Sequence, residues 1–202
     1  MEARRLTGPL FWLHGDESRE RLEMYVGKVA EGSNGCFTTE SRPHKDWLGE
    51  GWYRDLAICL EAAKKHNLKM WIFDEKWWPS GEVGGQVPKE YGSKRLSATT
   101  VEVKGPRAYS AEGFGGEGYV AAIAGKATGQ TIDGATLVDL AAFICDGRLN
   151  WDAPAGDWRI MKFTWAANPV NGRYLVDGAS RDSVEWYIRT VFEPHYARFK
   201  DD

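Results

Sequence analysis

The 202-residue sequence predicts an α/β fold, namely the first part of a TIM-type (β/α) barrel with an antiparallel, sandwich-like β module inserted after the third strand. Three observations predict it. Apolar runs at residues 10–13, 36–38 and 69–73 alternate with two helical patterns. Polar or charged residues follow each of these runs. From about residue 94 to 166, short β-rich runs and glycine-rich turns replace the helical period.

Two helices are predicted between the three strands. The apolar face of the first repeats at spacings of three and four, with Asp16 as a suitable N-cap and Gly32 at its C-terminal end. The second carries an apolar stripe from Trp52 to Ala63. Because short links join the elements, we expect parallel strands with right-handed crossovers, whose carboxyl ends gather on one side of the sheet.

The third strand and the loop after it are the most informative stretch. Residues 69–73 are typical of a buried strand, because apolar residues run together without alternation. The run ends in Asp74 and Glu75, and Trp77, Trp78 and a Pro-Ser-Gly turn follow. Acids at the carboxyl end of a parallel strand, beside aromatic rings, indicate a sugar-binding site. A core strand followed by a charged turn is the alternative interpretation.

The predicted organisation has three segments. Residues 1–93 carry three strand–helix units, residues 94–166 the inserted β module, and residues 167–202 a return helix that starts near Ser180 and is bent or interrupted at Pro194. A complete barrel takes about 250 residues. We therefore expect the N-terminal part of a larger enzyme or a truncated product, with an open sheet edge through which the chain could self-associate.

Composition narrows the classes of partner. The net charge is −3 with no basic cluster, which argues against nucleic acid. No apolar run approaches the roughly 18 residues of a membrane span, and residues 1–17 do not form a signal peptide, so the sequence as written predicts a cytoplasmic protein without a membrane partner. The three cysteines are far apart and predict reduced thiols. Ten tryptophans suit either a sugar site or a large aromatic core.

The chain resembles a known family in four motifs: FWLHG (11–15), FTTESRPH (37–44), IFDEKWWPSGEVGG (72–85) and YLVDGASRD (174–182). On these residues it is similar to bacterial glycoside hydrolases of the α-L-rhamnosidase type, glycoside hydrolase family 106. The resemblance implies a TIM-type barrel with β-sandwich modules that hydrolyses plant or bacterial polysaccharides. It also implies that the main catalytic carboxylates lie on later strands, so we expect this chain alone to be inactive.

The candidate substrate-binding side chains lie at or after the strand ends. Of the adjacent acids Asp74 and Glu75, at most one faces the barrel axis, and the other could hold a metal or brace the loop. His14 and His44 could instead form only local hydrogen bonds, as histidines often do. One of Trp77 and Trp78 could pack under the loop that follows the third strand. Glu82 is expected to be solvated. The predicted set is His14, Glu40, Arg42, His44, Asp74, Glu75, Trp77 and Trp78.

Three functions remain open from the sequence. The chain could be the part of a glycoside hydrolase that contributes the substrate pocket, or a non-catalytic carbohydrate-binding protein. It could also be a small complete glycosidase in which Glu40 and Glu75 form the catalytic pair. No cofactor is predicted, although clustered oxygen ligands could hold calcium.

Overall fold

The computed structural model describes residues 7–202, which divide into two compact units. The first unit comprises Met1–Ser93 and Pro169–Asp202, and the second comprises Lys94–Asn168. The interpretation that residues 1–17 are not a signal peptide falls partly outside this range, because residues 1–6 are not described. Within residues 7–202, none of the helices combines the length and apolar character that crossing a bilayer requires.

The first unit is built on a parallel three-stranded sheet with the strand order β1-β2-β3. As predicted, the strands are parallel neighbours. The N-cap of the first helix is Ser18 and not Asp16, since the Ser18 hydroxyl accepts the N–H of Arg21. The elements are β1 (Leu10–Leu13), α1 (Arg19–Glu31), β2 (Cys36–Ser41), α2 (Glu50–Lys65) and β3 (Lys69–Ile72).

The two faces of this sheet differ. Alternate strand residues point to one face and join the core formed with α1 and α2, which includes Phe11, Phe37 and Trp52. On the other face, Trp12 and Trp71 are 54% and 64% exposed. The prediction of β3 as a buried strand was therefore wrong. It is an edge strand, and an apolar run does not report whether both faces will be covered.

The C-terminal part of the first unit is one helical segment with a widened turn. α3 (Arg181–Tyr187) is capped by Ser180, a π-helical turn covers Ile188–Phe192, and α4 (Glu193–Phe199) follows. Pro194 lies in the first turn of α4, where a missing N–H is tolerated. The proline thus coincides with a π turn and does not end the helical segment.

The second unit is an antiparallel sheet dominated by three long strands. Its order is β4-β9-β5-β6, with β7 on β5 and β8 on β9. Trp151 and Trp158 pack edge to face in its core, with ring centroids 5.4 Å apart. The strands are β4 (Lys94–Glu112), β5 (Tyr119–Thr128), β6 (Thr131–Ile132), β7 (Val138–Asp139), β8 (Ile144–Cys145) and β9 (Arg148–Ala167).

The predicted barrel class was wrong. The chain is mostly β-sheet, in two sheets with few helices, and residues 7–202 form no closed barrel. Closure of a TIM-type barrel needs about eight tilted, staggered strands, whereas the parallel sheet has three. The second unit is also a single six-stranded sheet and not a sandwich of two. Its longest strands, β4 and β9, pair with each other along most of their length.

Candidate functional site

The predicted side chains lie near the carboxyl ends of three parallel strands. His14 follows β1, Glu40 and Arg42 flank the end of β2, and Asp74 and Glu75 follow β3. The strand ends share one edge of the sheet because neighbouring strands run in the same direction. The individual contacts separate side chains that reach solvent from side chains that hold the fold together.

Glu40 organises two side chains that reach solvent. It is 1% exposed, and its Oε2 accepts a hydrogen bond of 3.0 Å from Trp12 Nε1. Its Oε1 lies 3.0 Å from the Arg42 guanidinium, although the geometry of this ion pair does not make a hydrogen bond. The guanidinium of Arg42 lies 5.5 Å from the centroid of the Trp12 ring. One buried carboxylate thus holds a half-exposed indole together with a cation that lies over its ring.

Glu75 organises backbone instead. This fully buried carboxylate accepts N–H groups from Lys76 at 2.8 Å and from Val83 and Gly84 at 2.6 Å each. Val83, Gly84 and Gly85 all have positive φ, and such a turn directs successive N–H groups into one concavity that suits an anion. Burial raises the pKa of Glu75, and the three backbone hydrogen bonds oppose that rise.

The strain in this turn falls on Val83. A β-branched residue at φ 52° is an outlier, because its side chain crowds the backbone in the left-handed region. The side chain of Val83 is nonetheless fully buried in the core of the first unit. The hydrogen bond to Glu75 and this packing together stabilise a conformation that Val83 would not adopt alone.

The rest of the loop packs around Glu82. The Trp77 indole donates to the Glu82 carboxylate, which also lies 3.2 Å from Arg173 Nη1. The same arginine lies over the Trp77 ring, 4.9 Å from its centroid. The expectation that Glu82 is solvated was therefore wrong, since it is buried as an acceptor. Trp78, in contrast, is largely exposed.

Asp74 ties the loop to the C-terminal helical segment. It accepts hydrogen bonds from Ser80 Oγ at 2.9 Å and from the Tyr187 hydroxyl at 2.6 Å. Burial and the bond to Asp74 both raise the pKa of Tyr187, which therefore remains a neutral donor. Both Asp74 oxygens thus have partners within the first unit.

The two predicted histidines differ. The His14 side chain is exposed, with Nδ1 3.0 Å from Glu17 Oε1. His44 is buried, and its Nδ1 accepts the N–H of Asp46 at 3.0 Å. Its Nε2 therefore carries the proton and donates to Asp55 Oδ2 at 3.0 Å. His44 holds the segment after β2 against α2.

Sequence reasoning missed Trp12 and His195. Alternation within β1 was the available signal for Trp12, because Phe11 and Leu13 on either side of it are buried. His195 is a structural group whose Nδ1 lies 2.6 Å from the Val191 carbonyl. Its Nε2 accepts from Trp52 Nε1 at 2.9 Å, and burial lowers its pKa. No sequence spacing links His195 to Trp52.

The described residues were also compared with the donor sets of metal sites and with the chemistry of the three cysteines. Within residues 7–202, no group of three or more His, Cys, Asp or Glu side chains is arranged to hold a metal ion. Cys36, Cys59 and Cys145 are free thiols, and burial raises the pKa of Cys59 to about 12.

Comparison with known proteins gives a likeness in fold. No family model matches the chain, and a search of curated proteins finds no match. Among solved structures, the chain is similar to the rhamnosidase from Novosphingobium sp. PP1Y, with a TM-score of 0.62 and 10% identity. The match covers 96% of this chain and 36% of that one, so the chain spans about a third of that protein's length. At this identity the likeness shows a fold that occurs in a glycosidase-type protein, and assignment to family 106 stays a prediction.

Proposed function

We propose that this chain forms the carbohydrate-binding part of a glycoside hydrolase of the α-L-rhamnosidase type, acting on plant or bacterial polysaccharide. The observation that carries the proposal is the half-exposed Trp12 ring, fixed by Glu40 beside the Arg42 guanidinium. The similarity in fold to a rhamnosidase supports the class of substrate.

The chemistry of a pyranose suits these groups. One face of the ring carries C–H bonds that pack on a flat indole, while its hydroxyls accept hydrogen bonds from guanidinium N–H groups. The hydrogen bond to Glu40 fixes the Trp12 ring before any ligand arrives. Such preorganisation reduces the side-chain entropy that binding would otherwise cost. Glu40 acts as a positioning residue in this proposal.

The contacts of the carboxylates favour binding over catalysis. Hydrolysis of a glycoside needs two carboxyl groups that reach opposite sides of one bond. Glu40 and Glu75 are both buried, and Glu75 already accepts three backbone N–H groups. We therefore propose a binding role for this chain and no catalytic role for that pair. A non-catalytic carbohydrate-binding protein is the second candidate, supported by the same contacts.

The test is calorimetric titration of the purified chain with methyl α-L-rhamnoside and with rhamnose-containing oligosaccharides. We expect Trp12→Ala to weaken binding by about tenfold or more, because a loss of 1.4 kcal/mol lowers affinity tenfold. Trp165→Ala, which removes a partly exposed ring from the second unit, is the matched control and should bind as the wild type does. Equal binding by Trp12→Ala and the wild type, or no binding of any glycoside, would contradict the proposal.

Hydrolysis is assayed separately with a panel of aryl glycosides. We expect no turnover by the wild-type chain. Turnover that disappears in a Glu75→Gln variant that is still folded would instead support a small complete glycosidase and overturn the purely structural role of this carboxylate.

A further inference from the structure

The segment after β2 carries Arg42 and is closed into a turn by hydrogen bonds of His44. The His44 backbone N–H donates to Ser41 Oγ at 2.6 Å, and His44 Nδ1 accepts the Asp46 N–H at 3.0 Å. The partners of His44 lie on either side of Arg42 along the chain. Side chains of this kind can take the place of backbone partners in a turn. The shape of the backbone around Arg42 therefore depends on His44.

The His44 ring also supports the chain at the end of β1. Gly15 lies against this ring, since a Cβ at Gly15 would be 2.7 Å from His44 Cε1. The carbonyl of His14 accepts a backbone N–H from the turn after β2 at 2.9 Å. The strand that carries Trp12 and the turn that carries Arg42 thus meet at one imidazole.

Asp55 holds this imidazole from α2. Both side chains are buried, and His44 Nε2 donates to Asp55 Oδ2 at 3.0 Å. The other oxygen, Asp55 Oδ1, accepts from Arg54 Nε at 2.8 Å, and the Arg54 side chain reaches solvent. Trp52, about one turn earlier on α2, packs edge-on against the His44 ring with centroids 5.2 Å apart. Because a buried carboxylate is costly without such partners, the His44–Asp55 pair has a defined geometry.

The place of the Arg42 guanidinium depends on this support. The guanidinium lies 3.0 Å from Glu40 Oε1, but the ion pair lacks the geometry of a hydrogen bond. Directed hydrogen bonds are what give an arginine–carboxylate pair its geometric specificity. Without them, the backbone that carries Arg42 contributes more to the place of the guanidinium over the Trp12 ring.

We propose that His44 and Asp55 are positioning residues of the sugar site. They fix the turn after β2 and thereby the place of the Arg42 guanidinium over the Trp12 ring. This inference rests on the proposed function, since it concerns the same sugar-binding side chains. His44 and Asp55 are buried and act through Arg42. A weaker bond between them allows the arginine more positions, and the entropy of ordering it lowers the affinity for sugar.

A double-mutant cycle on sugar affinity separates positioning from stability. Asp55→Asn keeps the shape of the side chain and removes its charge, so binding of methyl α-L-rhamnoside should weaken by about threefold or more. In the Arg42→Gln background, the same substitution should have no further effect on affinity. Cys59→Ala, which removes a buried group one turn further along α2, is the control and should lower stability without changing affinity. Unchanged affinity in Asp55→Asn, or an equal loss in both backgrounds, would overturn the proposal.

The NMR signal of the Trp12 indole N–H in the sugar-free chain gives a readout that needs no ligand. Because the guanidinium lies over this ring, the signal should shift in Asp55→Asn and stay in place in Cys59→Ala. Ser41→Ala removes only the hydroxyl that accepts the His44 N–H, and it should shift the signal even if Asp55→Asn does not fold. If no sugar binds to the wild type, the proposed function fails, and this signal still decides the positioning role. A Trp12 signal that stays in place in every folded variant of this turn would overturn the proposal.

Discussion

Glu40 and Glu75 are both buried carboxylates near the carboxyl ends of adjacent parallel strands, yet they hold different kinds of partner. Glu75 accepts only backbone N–H groups from the loop that follows it. Glu40 instead holds the side chains of Trp12 and Arg42, both of which reach solvent. Burial of an acid at a strand end therefore does not indicate its role, whereas the identity of its partners does.

The difference separates stability from recognition. Removing a carboxylate that holds three backbone N–H groups should release a loop. Removing one that holds two side chains that reach solvent should leave the fold largely intact and disorder a surface. Each carboxylate has an uncharged isostere in glutamine, so the comparison can be tested with matched substitutions.

The largest effect is expected from Glu75→Gln. The glutamine NH₂ group must face one of the backbone donors, so the variant should lose about 1.5–3 kcal/mol of unfolding free energy. Denaturant unfolding followed by tryptophan fluorescence measures this loss. Glu90→Gln, at an exposed position of the same unit, is the control and should change stability little. Equal stability of the two variants would remove the structural role assigned to Glu75.

A smaller stability effect is expected from Glu40→Gln. The amide oxygen can still accept from Trp12, but the charge opposite Arg42 is lost, so we expect a loss of about 1 kcal/mol. Sugar affinity should fall more clearly, because Arg42 loses the charge that positions it. Unfolding and calorimetric titration of the same preparation measure both. A large loss of stability with unchanged sugar affinity would reverse the roles of the two carboxylates.

His195 extends the comparison to a buried base and should give the smallest effect. Burial lowers its folded-state pKa below the usual 6.5, and its Nε2 must be unprotonated to accept from Trp52. The folded state thus binds fewer protons than the unfolded state. The stabilising contribution is complete above pH 6.5 and is lost as pH falls through the folded-state pKa.

Thermal unfolding between pH 8 and pH 5 checks this prediction, because this pH range brackets the usual histidine pKa of about 6.5. His195→Gln should flatten the acid side of the curve relative to the wild type. An acid side as steep in His195→Gln as in the wild type would show that the buried histidine has no part in the pH dependence.

The periodicity of apolar residues predicted the order of strands and helices in the first unit, from β1 to β3. Spacings of three and four predicted α1 and α2, and their alternation with apolar runs predicted parallel strands. The same patterns could not predict barrel closure, since closure depends on strands that pair beyond β3. The same patterns wrongly predicted that β3 is buried, because every residue of Lys69–Ile72 except the first is apolar.

The sequence indicated the positions of the candidate residues but not their contacts. Polar residues after strand ends pointed to Glu40, Arg42, Asp74 and Glu75, but not to the partners of each. The turn over Glu75 depends on a positive φ at Val83, which residue type disfavours. The role of Trp12 depends on the lateral pairing of Trp12 with Glu40 in the sheet. The Glu75–Val83 contact and the Trp12–Glu40 contact both join residues in the folded structure, and the preferences of single residues do not predict them.

The most direct test of the central claim is the NMR signal of the Trp12 indole N–H during a titration with methyl α-L-rhamnoside, assigned through Trp12→Phe. We predict that this signal moves as sugar is added and that the movement is weaker in Glu40→Gln at the same sugar concentrations. The Trp165 indole signal should stay in place. Movement of other indole signals with Trp12 unchanged, or an unaltered response in Glu40→Gln, would contradict a sugar site positioned by Glu40.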